Sequence, residues 1–154
     1  MLFVGCAGHP AAVTTFDDAH VVVRVLVEGT GPDRTVVAEF DPTDPTAHLY
    51  GMELPDGGID GSGRPTRLAV VGGDWQAVGP VTASAASHEI ELAGFDRPFA
   101  VYPDGPVILR QAIHEIGDGP HDDPVDVTVT FMACSSKGVC FAPVEQQALS
   151  VPIR

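Results

Sequence analysis

Short runs of apolar residues, each closed by a turn signal, succeed one another along most of the chain. Residues 21–27, VVVRVLV, are β-branched enough for a strand despite one charged interruption, and residues 35–40, TVVAEF, follow after the turn GTGPDR. Val125, Val127, Val129 and Phe131 alternate with Asp126, Thr128, Thr130 and Met132, the period of two that marks a strand with one buried face. Residues 47–53, 67–71, 88–92, 99–102, 107–116 and 125–133 continue the series, and 148–153 supplies a closing strand. No segment holds a period of about 3.6 residues between caps. With 17 Gly and 14 Pro punctuating the chain, helices are expected to be few or absent. Short strands at this spacing predict an all-β fold, an immunoglobulin-like antiparallel β-sandwich. The likeness to antibody domains is architectural: their cysteine pair is missing, and Trp75 falls in a Gly-rich stretch read as a loop.

A chain of 154 residues fits one domain, here 17–154, preceded by a tail over 1–16. At this length roughly 70% of the unfolded surface can be buried, so folding does not require a covalent staple. Eight Lys and Arg face 21 Asp and Glu, a formal net charge of −13 that repels nucleic acid and anionic lipid and argues against both as partners. No run approaches the roughly 20 apolar residues of a membrane-spanning helix. LFVGCAG, residues 2–8, resembles the end of a bacterial lipoprotein signal, where small residues lead into a lipidated cysteine. Cys6 is therefore the candidate for a lipid anchor, with an unmodified tail cysteine as the alternative.

The stretch MACSSKGVCF, residues 132–141, holds the other two cysteines, Cys134 and Cys140, with five residues between them. The first ends one expected strand and the second begins another, so a hairpin would set them side by side. Cross-strand Cα separations of about 4.5–5.5 Å lie within the roughly 4.4–6.8 Å that a disulfide bridges. A bond across so short a loop adds little stability, because the hairpin closes that loop by itself. Zinc favours C-x₂₋₄-C spacing with two further ligands, and neither another nearby cysteine nor an H-x₃₋₅-H pair follows, so no metal or cofactor is expected. C-x₅-C is not the C-x-x-C of thioredoxin-like chemistry either. Spacing alone leaves a redox pair and a structural hairpin disulfide equally open.

Residues 125–153, VDVTVTFMACSSKGVCFAPVEQQALSVPI, resemble the C-terminal part of the N-terminal periplasmic domain of the DsbD family of thiol:disulfide interchange proteins. The matching positions are Cys134, Gly138, Cys140, Phe141, Pro143 and the run Val151, Pro152, Ile153. Upstream, AHLYGMEL at 47–54 is similar to the family's aromatic YxLY strand, and GPVILRQAIHEI to the strand before the cysteines. GIDGSGRPTRL is similar to a segment of some family variants. The resemblance implies an extracytoplasmic immunoglobulin-like domain, part of a protein-disulfide reductase system of the kind that serves cytochrome c biogenesis. Its cysteine pair would take electrons from a thioredoxin-like partner and pass them to oxidised exported proteins. It places the mixed disulfide on Cys140 and the resolving thiol on Cys134. It also implies an aromatic cap over the pair, for which DRPFAVYPDG offers Phe99 or Tyr102, either of which is otherwise a core aromatic. Tyr50 matches the last aromatic of YxLY, whereas His48 stands where the family has another aromatic.

His48 or Lys137 could steady a thiolate, although a surface histidine and a solvated lysine are the ordinary expectation. His9, His20, His88, His114 and His121 lack ligand spacing. DGGIDGSGRP, residues 56–65, has neither the Lys of a phosphate loop nor the closing Glu of a calcium loop and reads as a long surface connection in which Gly61 and Gly63 call for positive φ. GDGPHDDP, residues 117–124, reads as a hairpin connection whose Asp122 and Asp123 are solvated, and Ser135 and Ser136 have no evident base. Two rival functions remain beside the redox pair: an immunoglobulin-like binding module with a permanent disulfide, and a metal-carrier domain using the same thiols.

Overall fold

The computed structural model describes residues 12–118 and 122–153, all strands, turns and loops without a helix. Twelve strands run in chain order: β1 (Thr14–Asp18), β2 (Val21–Glu28), β3 (Asp33–Pro42), β4 (Ala47–Leu49), β5 (Arg67–Val70), β6 (Trp75–Ala83), β7 (His88–Ile90), β8 (Phe99–Val101), β9 (Val107–Glu115), β10 (Val125–Phe131), β11 (Ala133–Ser135) and β12 (Val144–Val151). One sheet is ordered β1-β2-β3-β9-β6 and a second β12-β10-β5, with two small ribbons, β11-β4 and β7-β8. Every strand pair is antiparallel. The expected immunoglobulin-like β-sandwich is the fold observed.

The alternating residues of β2, β3, β9 and β10 meet between the two sheets. Val21, Val23, Val25, Val36, Phe40, Leu109, Val127 and Phe131 are all fully buried in one apolar cluster. Phe131 lies edge-on to Phe40 at 5.9 Å and to Phe16 at 6.4 Å, geometries that suit the positive ring edge over a negative face. Gln111 breaks the apolar face of β9. Its amide donates to the carbonyls of Val78 and Gly79, where β6 slips register against β9.

Several expectations change. Trp75 is not in a loop: it opens β6, is 2% exposed, and lies under the Arg34 guanidinium at 5.4 Å. β1 and β6 are strands that the hydrophobic pattern did not mark, and β1 begins at Thr14, inside the span read as tail. Both sit at sheet edges, where one neighbour is missing and apolar alternation weakens. β9 and β10 belong to different sheets and do not form the expected hairpin. The expected continuous strand 125–133 breaks at Met132, so β10 and β11 serve different sheets.

Candidate functional site

β11 pairs with β4, and this ribbon divides two environments. Ala133 and Leu49, opposite each other, face the main core. On the other face, Cys134 lies opposite His48. Cys134 and Tyr50 there join Leu54, Ile59, Phe99 and Val101 in a second, smaller apolar cluster.

After β11 the chain turns back within five residues. The Ser135 N–H donates to Val139 O at 2.7 Å, the Gly138 N–H to Ser135 O at 3.0 Å, and the Phe141 N–H to Ala133 O at 2.9 Å. Gly138 has φ +80, in the left-handed region that glycine enters without a Cβ clash. Cys134 and Cys140 face each other as an antiparallel bridge and are joined by a disulfide, with Cα atoms 4.0 Å apart. The strand expected to begin at Cys140 is delayed to Val144.

The two cysteines differ in exposure. Cys134 is 4% exposed, whereas Cys140 lies on the exposed side of the turn with Ser136, Lys137 and Val139. Tyr50, itself buried, directs its hydroxyl at Cys134 Sγ at 3.2 Å; a disulfide sulfur carries no proton, so the phenol is the donor. Burial pushes the Tyr50 pKa above its ordinary value, which keeps that proton in place. The loop of residues 56–65 is more than a surface connection. Ile59, Gly63 and Pro65 are buried, and a Cβ on Gly63 would stand 3.1 Å from the Tyr50 ring. Gly61 and Gly63 both have positive φ, as expected. Arg64 ties the loop together, donating to Gly57, Gly61 and Gly63 carbonyls while pairing with Glu145 at 2.6 Å.

Among the aromatics, Phe99 packs with Tyr50 at 5.8 Å in the cysteine cluster, whereas Tyr102 belongs to the main core, where its hydroxyl accepts the Met52 N–H at 3.4 Å. Phe141 is half-buried, and the His20 ring lies over it at 4.1 Å. Two neighbours escaped the sequence reading: His20, and Phe95, edge-on to Phe99 at 5.0 Å. Phe95 sits in a Gly-Phe-Asp turn, and an apolar ring in a polar turn is the signal that could have found it. His48 is not the surface residue expected: its side chain is 16% exposed, with Nδ1 3.8 Å from Asp104 Oδ1. Lys137 is exposed. Ser135 is buried and its hydroxyl accepts the Val139 N–H at 3.3 Å. His114 pairs with Asp33 at 2.6 Å, far from the cysteines in the topology. No group of three or more metal-ligating side chains is gathered among the described residues. Cys6, His9 and His121 lie outside those residues.

No protein-family model and no curated relative matches the chain. Among solved structures, the N-terminal periplasmic domain of ScsB from Proteus mirabilis superposes with a TM-score of 0.56 at 17% identity, over 93% of this chain. The fold is similar to that of part of the ScsB N-terminal periplasmic domain. The β-sandwich expected from the sequence is thus one shared with a periplasmic N-terminal domain. The chain spans about half, 51%, of that ScsB structure. The reduced N-terminal domain of Neisseria meningitidis DsbD aligns at 14% identity and TM-score 0.46, over 87% of this chain and 85% of that one. A structure from work on Streptococcus parasanguinis adhesion by Fap1 fimbriae aligns at 10% identity and TM-score 0.40, over 93% and 82%. The latter two scores are too low to add to the argument.

Proposed function

We propose that this domain is an extracytoplasmic thiol–disulfide interchange module working through Cys134 and Cys140. The observation that carries the reading is the asymmetry of the pair: one disulfide sulfur belongs to an exposed residue, and the other is buried under a hydrogen-bond donor. In exchange, a thiolate of a thioredoxin-like partner attacks Cys140 Sγ, the S–S electron pair departs on Cys134 Sγ, and a mixed disulfide forms at Cys140. The partner's second thiolate then breaks that mixed disulfide, leaving the partner oxidised and the pair reduced. In the outward step, Cys140 thiolate attacks an oxidised exported protein and Cys134 resolves the resulting bond, restoring the Cys134–Cys140 disulfide. Tyr50 is placed to hydrogen-bond the sulfur that leaves or resolves. Of the two expected caps, Phe99 shares the cysteine cluster, and Phe95 packs edge-on against it.

Thiol trapping tests this. In graded redox buffers the pair should cycle between oxidised and reduced forms, and Cys134→Ser should accumulate a mixed disulfide with a thioredoxin-like protein at Cys140. Trapping through Cys134 in Cys140→Ser instead would reverse the two roles. A pair that stays oxidised in strongly reducing buffer would leave the domain as a binding module with a permanent disulfide.

A further inference from the structure

Release of Cys134 puts negative charge on a sulfur inside an apolar cluster, where an uncompensated anion is costly. Residues directly opposite on antiparallel strands point to the same face with Cβ atoms about 4.5–5.5 Å apart. Opposite Cys134 stands His48. Its ring is edge-on to Tyr50 at 6.2 Å, and Tyr50 is the residue that donates to Cys134 Sγ. The His48 side chain keeps a small exposed fraction, 16% against 4% for Cys134, which gives it a route for exchanging protons with solvent.

We infer that His48, once protonated, sets a positive charge opposite the leaving sulfur and makes the opening of the Cys134–Cys140 disulfide a proton-linked step. This rests on the exchange reading above and deepens it. Before attack, His48 takes a proton from solvent. As the attacking thiolate bonds to Cys140 Sγ, the electron pair of the broken S–S bond moves to Cys134 Sγ, and the imidazolium stabilises that thiolate or yields its proton to it, leaving a neutral imidazole.

The titratable groups around His48 fit the role. Desolvation lowers its pKa, Asp104 from the segment after β8 raises it, and His88 on β7 lowers it. Tyr50 on its own side and Cys134 across from it complete the set, while the Lys137 charge acts on Asp44. With desolvation the largest influence, His48 gains its charge at a lower pH than an ordinary imidazole does.

The test is the opening rate of the oxidised full-length protein with 2-mercaptoethanol from pH 8 to pH 5, divided by the fraction of the reagent present as thiolate. This thiolate-specific rate constant should climb about tenfold as pH falls. His48→Phe and His48→Gln, each checked by far-UV circular dichroism, should give flat profiles. Asp104→Asn should move the inflection to lower pH and His88→Gln to higher pH. A flat wild-type profile, or an unchanged climb in both His48 variants, would overturn the assignment while leaving the exchange function standing. Failure of the wild-type disulfide to open at any pH would remove the exchange function itself, and this inference with it.

Discussion

The described residues form two apolar clusters built to different standards. The larger is made of long strands whose valines and phenylalanines interdigitate between two sheets. The smaller is assembled from strands of three residues and from loops, and it encloses a phenolic hydroxyl and a sulfur. Long regular strands hold geometry without help. The small cluster instead depends on a clamped loop, two short ribbons and a tight turn, and it is the one that holds the disulfide. The difference suggests a division of labour in which one cluster carries stability and the other tolerates the making and breaking of a bond.

The largest effect that would break this division is predicted at Phe131. Phe131→Ala removes a fully buried ring from between Phe16 and Phe40 and should cost about 3–5 kcal/mol, read by urea unfolding. A loss below about 1 kcal/mol would mean the main core is not the stabilising one. Next comes the disulfide itself. Reducing it should lower stability by at most about 2 kcal/mol, the chain-entropy value for so short a loop, and the turn's own hydrogen bonds should make the loss smaller. Unfolding of the whole domain on reduction would erase the contrast between the clusters.

The smallest effect sharpens the contrast by pH. Burial raises the pKa of Tyr50 in the small cluster and, as the largest influence, that of Tyr102 in the main core. Native phenolate absorbance should therefore develop only above the ordinary tyrosine value of about 10. The sign follows from proton binding. Above that pH the unfolded chain has lost protons that the native state keeps, so stability is intact below about pH 10 and declines as pH rises further. In Tyr102→Phe the remaining titration reports Tyr50 alone. An ordinary curve there would mean that the hydroxyl is not sealed against the sulfur.

Much of the large cluster was legible from residue order. The valines of β2 and the alternation of β10 place their own buried faces, because period two is a local property of an extended chain. The edge strands were not legible. β1 reads TTFDD and β6 carries Gly79-Pro80 at its centre, sequences that become strands only because β2 and β9 offer them hydrogen bonds. Trp75 shows the same limit: its Gly-rich flank reads as a loop, yet its ring is drawn into the core beneath Arg34.

For the site, the sequence supplied the cysteine pair, the glycine that turns the chain between them and the aromatic Tyr50. It also marked residues 125–153 as DsbD-like. It could not tell the two cysteines apart by exposure, nor put His48 opposite one of them, nor lay residues 56–65 over Tyr50. The place of His48 depends on pairing between segments more than eighty residues apart, β4 with β11. Alternation along a strand is written in neighbouring residues, whereas the surroundings of a side chain are set by whichever distant segments pack against it. The chain by itself determined a β-sandwich with a hairpin thiol pair. Tertiary packing alone decided which cysteine is exposed and which lies buried under a phenol and opposite a histidine.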